Sequence, residues 1–123
     1  MKTCLVVDDS RVIRKVACAI LRELSFATEE AENGAEALSA CRRAMPDVIL
    51  LDWQMPTMTG TEFLRALRGE TRGFHPIVVF CTTENDPSTI TEALNAGANE
   101  YIMKPYDRGL LAAKLAEVGL VSR

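Results

Sequence analysis

Short apolar runs alternate with longer amphipathic stretches along this chain. Residues 4–7, 48–51, 77–81 and 101–103 form four such runs, each too short for a helix and each ending abruptly in polar residues. They are rich in β-branched or aromatic side chains, and their unbroken apolar character predicts parallel strands covered on both faces. Residues 26–31 break the pattern, because Thr28, Glu29 and Glu30 make the stretch more polar, as suits a strand at a sheet edge. Between the runs, Val12, Ile13, Val16, Ile20, Leu21 and Leu24 recur at three- and four-residue steps. That spacing predicts an amphipathic helix over 11–24. Shorter helices are expected over 35–43 and 61–68. Asp86 before Pro87 marks the start of another helix that Gly97 ends. Asp107 caps the last one, in which Leu111, Leu115 and Val118 line one face.

Strand and helix therefore alternate five times with loops of a few residues. This is the signature of an α/β fold, a doubly wound five-stranded parallel sheet with helices on both sides and right-handed crossovers. The 123 residues make one domain, 1–123, and contain no linker, low-complexity tract or repeat, so no separate output domain is expected. In open sheets of this kind ligands bind outside the carboxyl ends of the strands, which is where chemistry should be sought.

Charge narrows the function classes. The net charge is −3, and the lysines and arginines are spread along the chain. Nucleic-acid binding and attachment to an anionic membrane both need a concentrated basic face, so neither is expected. No apolar run approaches the roughly 20 residues of a membrane span, and the opening apolar stretch is too short and too acidic for a signal peptide. No membrane insertion and a cytoplasmic location are expected. Cys4, Cys18, Cys41 and Cys81 are far apart, without a CxxC pair or a neighbouring histidine. Zinc and redox-pair chemistry are thereby disfavoured, and the thiols read as small core residues. His75, before Pro76, reads as a surface residue.

The residues that follow each run carry the chemistry. The first strand ends in Asp8 and Asp9, the third in Asp52, the fourth in Thr82 and Thr83, and the fifth in Lys104 and Pro105. Each alone is a commonplace loop residue or helix cap. Together they place three carboxylates, a hydroxyl and one lysine at the same edge of one sheet. Two carboxylates about 4 Å apart repel by roughly 4 kcal/mol at an effective dielectric near 20, so three need cations. Lys104 supplies one positive charge. An all-oxygen donor set with open coordination positions suits Mg²⁺ for the rest.

The stretches VVDDS, ILLDWQMPTMTG, FCTTE and AGANEYIMKPYD resemble the receiver domains of two-component response regulators, especially the single-domain chemotaxis type. The resemblance covers essentially the whole chain in order and spacing. It implies the flavodoxin-like strand order 2-1-3-4-5, an order that a general rule for doubly wound sheets illustrates with this very fold. It also implies that Asp52 accepts a phosphoryl group and that Asp8, Asp9 and Asp52 bind Mg²⁺ with the backbone carbonyl of Gln54. Thr82 would move to the phosphoryl group, Lys104 would pair with Asp52 and then with phosphoryl oxygens, and Tyr101 would change rotamer with the switch. In relatives the positions of Gln54 and Glu84 flank the hydrolytic water and tune phosphoryl lifetime. A sensor histidine kinase or phosphotransfer protein is the implied donor, and small donors such as acetyl phosphate work on many relatives. Slow self-dephosphorylation is expected. The readout surface would be the fourth helix, fifth strand and fifth helix of a monomer, facing a downstream protein that the residues do not name.

Other readings fit less well. A flavodoxin-like electron carrier needs a Ser/Thr/Gly-rich loop after the first strand to cradle the flavin phosphate, and Asp8 and Asp9 would repel it. Neither GxGxxG nor GxxxxGK[ST] occurs. An aspartyl-phosphate phosphatase usually carries a second acid two residues after the nucleophile, where this chain has Gln54, and it needs a lid. A receiver-fold binding module that works without phosphate is the remaining alternative, and the full set of acids, threonine and lysine speaks against it.

Overall fold

Every apolar run becomes a strand, and all five strands lie parallel in one sheet. The computed structural model describes residues 1–55, 57–83 and 86–121. The elements follow as β1 (Thr3–Val7), α1 (Arg11–Glu23), β2 (Ala27–Ala31), α2 (Gly34–Arg43), β3 (Val48–Asp52) and α3 (Gly60–Arg68). Then come β4 (Ile77–Thr82), α4 (Pro87–Ala96), β5 (Glu100–Met103) and α5 (Arg108–Glu117). The strand order is β2-β1-β3-β4-β5, with the polar β2 at one edge as its composition requires.

The apolar runs are continuous because the strands bury both faces. Leu5, Val7, Ile49, Leu51, Val78 and Phe80 point to one layer and meet Phe63, Leu64 and Leu67 of α3, Leu38 of α2 and Ala93 of α4. The alternate positions Cys4, Val6, Val48, Leu50, Val79, Cys81 and Ile102 point to the other, against α1 and α5. All four thiols are buried, so the core reading of the cysteines stands. Each helix begins at a side-chain cap: Ser10, Asn33, Thr59, Asp86 and Asp107 each accept a first-turn N–H.

The face that α1 turns inward differs from the sequence expectation. Ala17, Cys18 and Leu21 are its buried residues. Ile20 and Leu24 are half-buried, whereas Val12 and Val16 are 73% and 54% exposed and Ile13 also reaches solvent. A three- and four-residue step fits two adjoining stripes equally well. The small side chains of Ala17 and Cys18 let the helix approach the sheet, and the bulkier stripe is left beside the loop after β5.

The amino ends of the strands are tied together by Asp47. Its carboxylate accepts the Thr3 backbone N–H at 2.8 Å and lies 3.0 Å from His75 Nε2. These contacts, the Thr3 N–H foremost, lower its pKa. A group whose folded pKa is depressed stabilises the fold above its unfolded value and ceases to do so as pH falls through the folded one. Asp47→Asn should therefore cost about 1 kcal/mol near neutral pH. Urea titrations of both proteins should show the difference shrinking as pH drops below about 4, the unfolded aspartate range.

Candidate functional site

The carboxyl ends of β1, β3, β4 and β5 meet at one small pocket. Asp8, directly after β1, is 3% exposed, and Asp52, the last residue of β3, is 7% exposed. Asp9 is exposed and opens the pocket to solvent. One oxygen from each of the three carboxylates lies within 4.8 Å of the others. Lys104, just past β5, donates from Nζ to Asp8 Oδ2 at 2.8 Å and to Asp52 Oδ1 at 3.2 Å. The Ser10 N–H donates to Asp8 Oδ1 at 2.8 Å, and the Gln54 N–H approaches Asp52 Oδ1 at 3.4 Å.

Parallel pairing explains why residues so distant in sequence converge. Asp52 stands opposite Cys81, and Thr82 opposite Met103, so the next residue along each chain emerges at the same edge. The Lys104 N–H donates to the Thr82 carbonyl at 2.8 Å, which extends the β4–β5 ladder one step and sets the lysine over the acids.

Electrostatics follow from this arrangement. Burial raises the Asp52 pKa; Lys104 pulls it down and Asp8 pushes it up, and the net shift is upward. Burial opposes the charge on Lys104 too, but its bond to Asp8 and the charges of Asp52 and Asp8 outweigh that and raise its pKa. The pocket therefore holds an ammonium between carboxylates that remain under mutual repulsion. Three clustered carboxylates, one of them open to water, form a hard oxygen donor set that fits Mg²⁺ with retained waters.

The remaining sequence candidates lie around this pocket. Thr82 is buried at 2% exposure, while Gln54 is exposed. Tyr101 is half-buried, with its ring centroid 5.8 Å from that of Phe80 and Lys114 Nζ 4.9 Å from its own centroid. Glu84 lies outside the described residues. Trp53 is half-buried and tilted against Phe80 at 5.1 Å, and it fills the space beside Gly60. A Cβ on Gly60 would stand 2.2 Å from the indole, so that position needs glycine. His75 is exposed and remote, as its sequence context suggests.

One contact was not foreseen. Arg14, one turn into α1, reaches back to donate from Nη1 to the Asp8 carbonyl at 2.6 Å. A basic pair on α1 and an acidic pair on β2 were the only signals in sequence.

The family model for the response regulator receiver domain matches residues 4–116, nearly the whole chain and every residue of the pocket. The chain belongs to the receiver domain family. Receivers of this kind are phosphorylation-dependent signalling proteins, and this one is similar to the chemotaxis type. It is 37% identical to the chemotaxis protein CheY of Pseudomonas aeruginosa over 93% of both chains. The solved structure of Vibrio cholerae CheY4 superposes with a TM-score of 0.92 at 35% identity, covering 96% of this receiver and 98% of that one. A receiver domain from the P. aeruginosa sensor histidine kinase PA1611 has been solved with magnesium coordinated in its active-site cleft. It matches this receiver with a TM-score of 0.85 at 28% identity, over 94% of this chain and 95% of that one. Among the described residues, no helix is long and apolar enough to cross a membrane.

Proposed function

We propose that the chain is a single receiver domain that takes a phosphoryl group on Asp52 from a phosphohistidine and passes the signal to a downstream protein by contact. The observation that carries this reading is the gathering of the Asp8, Asp9 and Asp52 carboxylates, with Lys104 bonded to Asp8 and Asp52. Asp8, Asp9, Asp52 and the backbone carbonyl of Gln54 would hold Mg²⁺, which when bound offsets charge on the transferring phosphoryl group. A carboxylate oxygen of Asp52 attacks phosphorus. The new O–P bond forms as the P–N bond breaks, and the bonding pair leaves on the imidazole nitrogen of the donor. Lys104, already bonded to Asp52, keeps its ammonium within reach of the phosphoryl oxygens. Attack by water on the acyl phosphate returns Asp52 slowly to its carboxylate, with the Gln54 and Glu84 side chains tuning the rate.

The donor is a histidine kinase or phosphotransfer protein. The exposed stripe of Val12, Ile13 and Val16 adjoins Lys104 and Tyr106, and it gives a protein donor an apolar shelf beside that lysine. The signal leaves through Thr82 and Tyr101. A phosphoryl group adds negative charge and three acceptors, which favour a state with the Thr82 hydroxyl drawn toward it. Tyr101 follows on the adjacent strand, and α4, β5 and α5 present the altered face. Leu94 and Leu110 are exposed there, at 43% and 39%.

The test is mass spectrometry after incubation with acetyl phosphate. A hydroxylamine-sensitive phosphoryl adduct should form on the peptide that carries Asp52, and only with Mg²⁺ present. Absence of an adduct with acetyl phosphate and with a phosphorylated kinase would sink this reading in favour of a module that binds without phosphate.

A further inference from the structure

We propose that Arg14 is a positioning residue for the acidic pocket: anchored by Glu30, its guanidinium holds the Asp8–Asp9 peptide and so sets both carboxylates toward the metal position. This rests on the reading of the pocket as a Mg²⁺ site.

Arg14 spans two elements. Its Nε donates to Glu30 Oε1 on β2 at 2.9 Å while Nη1 donates to the Asp8 carbonyl at 2.6 Å. The side chain is only 12% exposed, so these contacts are shielded from water. Glu30 is fixed in turn, because Lys15 Nζ donates to its second oxygen at 2.6 Å and its backbone stands in register opposite Val6 of β1.

The Asp8 residue is gripped from every side. Its N–H donates to the Ala31 carbonyl at 3.1 Å, and its carboxylate takes Ser10 N–H and Lys104. Its own carbonyl has the Arg14 guanidinium. That carbonyl belongs to the peptide bond joining Asp8 to Asp9, and a planar peptide transmits its orientation to the next residue. Asp9 is exposed, and the peptides on its two sides are held by the Arg14 guanidinium and by the Ser10 N–H bond to Asp8. Groups that orient metal ligands in this way typically change metal affinity about 10- to 100-fold when removed.

A purely electrostatic role predicts the opposite sign. Removing a cation next to three acids would tighten Mg²⁺ binding, whereas loss of positioning weakens it. Arg22 supplies a control, since its Nε ties α1 to Thr28 Oγ1 of β2 at 3.3 Å on the far side from the pocket.

Isothermal calorimetry with MgCl₂ on the wild-type chain, Arg14→Ala, Arg14→Lys and Arg22→Ala tests the assignment, with circular dichroism to verify folding. The expected result is a Kd raised about 10-fold in Arg14→Ala, an intermediate rise in Arg14→Lys, and no change in Arg22→Ala. If Arg14→Ala does not fold, Arg14→Lys carries the test, and a Kd equal to wild type overturns the assignment. Binding by Arg14→Ala within about twofold of wild type or tighter overturns it, as does equal weakening in Arg22→Ala. Failure of the wild-type chain to bind Mg²⁺ would instead overturn the reading of the pocket itself.

Discussion

Replacing Asp52 with asparagine is expected to abolish phosphoryl uptake and, in the same protein, to raise resistance to heat in metal-free buffer. Asparagine keeps the shape of the side chain and an acceptor for the Lys104 ammonium, but it is no nucleophile and no longer adds charge. With carboxylate oxygens within 4.8 Å of one another, each pair repels by about 3.5 kcal/mol at an effective dielectric near 20. Lys104 outweighs the push from Asp8, and it is chiefly burial of its charge that leaves the Asp52 pKa raised. A stabilisation on the order of 1 kcal/mol follows, or a rise in Tm of roughly 4 °C. A carboxyl with a raised folded pKa destabilises the fold above that pKa and stops doing so as pH falls to its unfolded value. The advantage of Asp52→Asn should therefore be full near neutral pH and should close toward about pH 4. Calorimetric melts across that range check it. An asparagine variant that melts below wild type at neutral pH would show the carboxylate to be stabilising, and a surviving adduct would point to another nucleophile.

Arg68→Ala should produce the largest loss of stability outside the sheet core, about 3 kcal/mol. The Arg68 guanidinium, with no carboxylate partner among the described residues, donates to four acceptors. Nε and Nη2 bond the Gly97 carbonyl at 3.1 and 2.6 Å, Nη1 bonds the carbonyls of Gly73 and Pro76 at 2.9 Å each, and Nη2 also bonds Asn99 Oδ1 at 3.0 Å. One side chain thus fastens the end of α3, the approach to β4 and the turn between α4 and β5. Gly97 has φ +121°, in the region that favours glycine, and its carbonyl is held at that turn by the arginine. Bonds to a charged donor are worth about 1.5–3 kcal/mol each when buried, and water replaces some of them here because the site is only half-buried. Lysine should recover little, since a point charge with three donors cannot copy the planar fork. Urea denaturation gives the measurement. A loss below about 1 kcal/mol would mean that solvent satisfies these carbonyls unaided.

Much of this fold is written locally in the chain. The strands and the pocket were legible because their signals are local: an apolar run, then an acid, a threonine or a lysine at its end. Parallel topology does the gathering, so Asp8, Asp52 and Lys104 meet although up to 96 residues separate them. The apolar steps of α1 mark a helix without fixing which stripe turns inward, and Ala17 and Cys18 pack more closely than Val12 and Val16. Arg68 and Arg14 were illegible for another reason. Arg68 bonds mostly backbone carbonyls, which every residue possesses, and the acidic partner of Arg14 gives no hint of the Asp8 carbonyl it also holds.

The buried thiols have a consequence for what this protein can sense. Burial pushes the Cys81 thiol up to about 12 and the Cys41 thiol up to about 11, and it raises those of Cys4 and Cys18 as well. The thiolate is the form that attacks peroxides and disulfides, and with these raised pKa values almost none is present near neutral pH in the folded chain. Cys81, immediately before Thr82, is therefore insulated from oxidants despite its place beside the pocket. Oxidation of these thiols should therefore wait on unfolding of the chain.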